Sequence, residues 1–125
     1  LPNQVWFTCR QAELLLAKLN GVPVKEFESD KASFADLQAL VAETISRIEA
    51  QTDTKESFAE GKTTLELPGM PTLSISGQDY IDEWLTPNFY FHFVTAYDLL
   101  RAKGLGIGKV DYMSHLRPLL AAAAG

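Results

Sequence analysis

The stretch Ile81-Asp82-Glu83-Trp84-Leu85-Thr86-Pro87-Asn88-Phe89-Tyr90-Phe91-His92-Phe93-Val94-Thr95-Ala96-Tyr97-Asp98-Leu99 decides the fold. Counted from Ile81, the residues Leu85, Asn88, His92, Thr95 and Leu99 advance by four, three, four, three and four positions, which returns them to one face of an α-helix. Gly77 to Lys103 therefore reads as a long helix whose core stripe carries a polar trio, Asn88, His92 and Thr95. A buried amide, imidazole or hydroxyl costs on the order of a few kcal/mol when unpaired. The trio must bond to itself and to water, or face a polar cavity or a ligand. Ser76 and Asp79 form an abbreviated capping box before the helix, and Gly104 caps its end. Pro87 removes one backbone hydrogen bond, which predicts a kink or break near Thr86. The glycines at 104, 106 and 108 follow a helix instead of joining a strand to one, so they do not read as a phosphate loop.

Working outward, Val5, Cys9, Ala12, Leu16 and Leu19 fall on one helical stripe from Leu1 to about Asn20, ended by Gly21-Val22-Pro23. This helix opens with no lead-in beyond Pro2, which reads as a segment missing upstream. Ser33 caps a second helix in which Phe34, Leu37, Val41, Ile45 and Ile48 form the face expected to be buried. From Gln51 to Ser76 the chain is rich in turns. There Leu65 and Leu67, then Leu73 and Ile75, alternate with polar residues and predict a small β-hairpin around Pro68-Gly69-Met70-Pro71. Trp6, Phe7, Phe89, Tyr90, Phe93 and Tyr97 lie outside any single narrow stripe, so the first and last long helices need cover on more than one side. A fourth wall is expected. It is either another helix of the same protein or the equivalent face of a second copy in a homodimer joined through exposed apolar helix faces.

Composition sets the outer limits. With 125 residues, 46% hydrophobic and 22% charged, the chain has the size and makeup of one globular domain. A net charge of −5 argues against nucleic-acid binding. No apolar run approaches the roughly 20 residues of a membrane span, and no signal peptide is visible, so the chain reads as cytoplasmic. The lone Cys9 forms no internal disulfide and builds no cysteine-rich zinc site. It reads as a small core residue, and His115 in the tail reads as solvated. Asp82, Glu83 and Asp98 project to faces other than that of His92. His92 is the candidate for ligand binding or acid/base work. Asn88 is a poor partner for a transition metal, because a neutral amide oxygen donates weakly.

The run Pro87 to Asp98, followed by Leu99-Leu100-Arg101, Gly104, Gly108-Lys109 and Asp111-Tyr112, closely resembles the signature of a bacterial and fungal domain-of-unknown-function family, numbered nineteen ninety-three. Leu1-Pro2, Gln4-Val5, Leu19 to Pro23 and Ser76-Gly77-Gln78-Asp79-Tyr80 resemble it too. The resemblance covers residues 1–113 and leaves 114–125 as a tail, either a frayed helix or an appendage foreign to the domain. It implies the all-α, up-down four-helix bundle of the DinB/YfiT-like group, here without its first helix and with a β-hairpin inserted before the last long helix. That group includes metalloenzymes, some of them thiol transferases, with one histidine on the second bundle helix and a histidine pair four residues apart on the last. By this resemblance His92 is the second of the pair, Asn88 stands in place of the first, and Gln4 falls near the remaining ligand. Two of three positions are amides, so the resemblance implies the fold and a polar pocket without a metal or other cofactor. The site expected on this basis comprises Gln4, Asn88, His92 and Thr95, ringed by Trp6, Trp84, Tyr90 and Tyr97. It would bind an unidentified small molecule or carry metal-independent acid/base chemistry at His92. The competing readings are a metal-dependent hydrolase or thiol transferase and a non-catalytic dimerisation module.

Overall fold

The computed structural model describes residues 1–51 and 56–124. The first helix, α1 (Pro2–Asn20), stops where Gly21 turns left-handed at φ 64°, and the Val22 N–H donates to the Ala17 carbonyl at 3.1 Å. Helix α2 (Phe34–Ala50) starts at a reciprocal cap: Ser33 Oγ accepts from the Asp36 N–H, and the Asp36 carboxylate accepts from the Ser33 N–H at 2.8 Å. The turn-rich stretch expected after Gln51 includes 52–55, which lie outside the described residues. It continues as a short helix, α3 (Glu56–Glu60), and the expected hairpin. Strands β1 (Lys62–Leu65) and β2 (Leu73–Ser76) pair antiparallel, Lys62 opposite Ser76 and Leu65 opposite Leu73. Leu67 falls in the connection, where the Met70 N–H donates to its carbonyl.

Ser76 Oγ accepts from the Asp79 N–H at 3.0 Å and starts α4 (Gly77–Asp79). The chain then widens into a π-helical stretch over Tyr80–Leu85 and continues as α5 (Thr86–Ala102). Pro87 therefore does not break the helix, and Thr86 keeps helical angles of φ −64° and ψ −49°. A proline has no N–H to give and crowds the carbonyl four residues back. The wider turns placed just before Pro87 accommodate that mismatch without leaving the helical path. Beyond Gly104, at φ 86°, come α6 (Lys109–Tyr112) and α7 (Arg117–Ala124), so the tail is helical through Ala124.

Helix α1 packs against both α2 and α5. Trp6, Cys9 and Leu40 form one buried cluster with Phe27 against it. Leu65, Tyr80 and Leu85 form a second, on which Leu15, Phe58, Ile75 and Trp84 pack, so the hairpin covers one end of the α1–α5 pair. The face expected to be buried on α2 is only partly so. Leu37 is buried together with Leu40 and Thr44, whereas Phe34, Val41, Ile45 and Ile48 are exposed. The two sets lie on adjacent sides of one helix, and α1 reaches only the first. Among the described residues no element supplies the expected fourth wall. The result is an apolar groove of about 500 Å³ between α1, α2 and α5, closed at one end by Ile107 and Tyr112.

Two contacts fix how these elements meet. A Cβ on Gly77 would sit 1.9 Å from the Phe58 carbonyl oxygen, so only glycine allows α3 to lie this close to the start of α4. Gly77→Ala should lower stability by about 1 to 3 kcal/mol in urea melts, since backbone on both sides must move. Glu13 is buried on α1 and bonded by Arg47 of α2. Arg47→Ala should cost about 2 to 3 kcal/mol, less than a sealed ion pair because Arg47 is partly in solvent. Glu13→Gln should cost less than Arg47→Ala, because it leaves no buried charge without a partner; equal losses would show that the pairing does not hold α1 to α2.

Candidate functional site

The α1–α5 seam brings together two of the expected site residues from opposite ends of the chain. Gln4 lies in the first turns of α1 and Leu15 packs near Tyr80 and Leu85, so α1 and α5 run antiparallel and Gln4 arrives opposite His92. Gln4 Oε1 and His92 Nδ1 are 2.7 Å apart. With the amide oxygen accepting, Nδ1 carries the proton and Nε2 keeps its lone pair. The imidazole is half-buried, with Phe7 tilted against it at 5.0 Å between ring centres and Phe91 edge-on at 5.1 Å. This partial burial pushes the His92 pKa below the usual histidine value, and the ring is neutral near pH 7.

Asn88 precedes His92 by one helical turn and is half-buried, and its amide bonds to no described residue. Thr95 turns away from this task, since its hydroxyl donates to the Phe91 carbonyl of its own helix at 2.6 Å. Leu99 is exposed and Ala96 is buried in its stead. The expected steps from Ile81 to Leu99 sum to 18 residues over five turns, the 3.6-residue period of the helix, so the stripe itself is straight; α1 covers the adjoining strip of α5, where Ala96 lies, and leaves Leu99 outside it.

The aromatic ring expected around His92 is built from other residues. Trp6 is buried against Phe27, at 5.6 Å between ring centres, on the side of α1 that faces α2. Trp84 belongs to the Tyr80–Leu85 cluster, and Tyr90 is exposed beside Phe89. Tyr97 lines the apolar groove edge-on to Tyr112. Phe7 was legible in principle, because it follows Gln4 by three residues on the same helix. Gln11, another turn along, went unread. It is buried in α1, with Nε2 donating to the Phe7 carbonyl at 3.2 Å and Oε1 without a partner among the described residues.

The other candidates stand apart. Cys9 is buried, and desolvation pushes its thiol upward, with the Glu13 charge adding to this and a hydrogen bond from Thr44 opposing it. The thiol is a protonated core group. His115, Asp82, Glu83 and Asp98 are exposed.

A family model, "Domain of unknown function (DUF1993)", matches residues 1–113. The chain belongs to this family. A crystal structure of a DinB family member from Shewanella denitrificans superposes on this DUF1993 chain with a TM-score of 0.72 and 27% identity. The match covers 89% of the chain and 63% of the Shewanella protein, so the chain spans less than two thirds of that neighbour's length. A search of curated proteins finds no match. Together with the helices described above, the likeness establishes a helical, DinB-like fold carrying a small two-stranded hairpin.

The resemblance to DinB-like metalloenzymes raises the question of a metal, and the donors answer it. Among the described residues no three His, Cys, Asp or Glu side chains gather in one place. His92 stands with two neutral amides, and the oxygen of Gln4 already faces the proton on Nδ1, an arrangement in which it receives hydrogen and does not share a cation. The residues do not fit a tightly held transition metal. No helix of the described residues is long and apolar enough to cross a membrane.

The lowered pKa of His92 fixes a sign. The unfolded chain binds this proton near the ordinary histidine value of about 6.5, whereas the folded chain binds it only at lower pH. Stability from this group is present above that value and is lost as pH falls through it, levelling off below the folded pKa. Urea melts between pH 8 and pH 5 should show this loss in the parent and less of it in His92→Gln; identical pH slopes would refute the neutral seam imidazole.

Proposed function

We propose that this DUF1993 protein is a cytoplasmic small-molecule-binding protein whose α1–α5 seam carries metal-independent acid/base chemistry at His92. The observation that supports the reading is the 2.7 Å contact between Gln4 Oε1 and His92 Nδ1. It fixes the ring orientation and the tautomer, and so presents Nε2 as a proton acceptor. A carboxylate at the same point would hold the imidazolium and raise the pKa, as in hydrolytic triads. An amide does neither, so the ring stays neutral and accepts a hydrogen bond from a ligand O–H or N–H. The unengaged amide of Asn88, one turn away, offers a donor and an acceptor to the same ligand. Phe7 and Phe91 supply flat apolar contact on two sides. The ligand class that suits these groups is a small, uncharged molecule with a hydroxyl or amide beside a planar or apolar portion.

Proton transfer, if the ligand is a substrate, runs from its acidic O–H, N–H or activated C–H to His92 Nε2. The charge that then appears on the ring is held only by the Gln4 dipole. The base is therefore weak and suits steps in which the proton is soon returned.

Ring-nitrogen NMR should show His92 titrating below the ordinary histidine value, and Gln4→Glu should raise that pKa by about one unit or more. For any ligand or turnover found with the parent, His92→Ala should weaken binding at least about tenfold or slow a proton-transfer step by about 10² or more. A folded His92→Ala protein that keeps every such property would overturn the reading.

A further inference from the structure

We draw no further inference here: the strongest candidate, the apolar groove of about 500 Å³ between α1, α2 and α5, is an unpartnered face and nothing in the structure shows what covers it, the Thr44 hydroxyl in its lining being buried against the Cys9 thiol.

Discussion

The architecture depends on α1 having neighbours on more than one side. One side carries Trp6 and Cys9 against Leu40 of α2, a second carries Gln4 and Leu15 against the rod that ends in α5, and a third looks into the groove. A buried charge on such a helix needs a partner, and Glu13 has one in Arg47. The same requirement makes the Gln4–His92 contact informative. Both groups are held where apolar side chains would pack more simply, and each satisfies the other.

The second constraint is Pro87. A proline immediately before Asn88 threatens the helix that presents Asn88 and His92, and the π-helical stretch over Tyr80–Leu85 resolves it. Tyr80, 2% exposed, and Leu85 pack from within that stretch into the cluster under the hairpin, and Gly77 lets α3 close on its start. The hairpin insertion therefore braces the irregular segment. Asn88 and His92 then follow in regular helix with fixed orientation toward α1.

The amides beside His92 set the chemistry that the proposed site could perform. Gln4 sets a polar atom beside His92 but brings no negative charge, and Asn88 offers hydrogen-bonding capacity one helical turn away. The imidazole that remains is neutral, with one nitrogen committed and one open. Under the proposed function, such a site would read ligands by hydrogen bonds without polarising them with a cation.

Much of this was legible from residue order. The caps at Ser33, Ser76 and Gly21 and the alternation that makes the hairpin depend on neighbours within a few positions, and all form as expected. The run Pro87 to Asp98 carries the family, and through it the likeness that brings Gln4 to His92 across 88 residues of separation. What the sequence could not determine is which part of an apolar face receives cover. Val41, Ile45 and Ile48 have the spacing of core residues, yet they are exposed because α1 covers only the adjacent strip of α2. Leu99 keeps the helical spacing of the stripe, yet it is exposed because α1 covers the adjoining strip of α5, where Ala96 is buried. Trp6 and Tyr97 were placed on the sides facing α2 and the groove by their angular position around helices whose packing had first to be known. Periodicity specifies the direction of a side chain relative to its own helix axis. Only tertiary packing decides what stands in that direction.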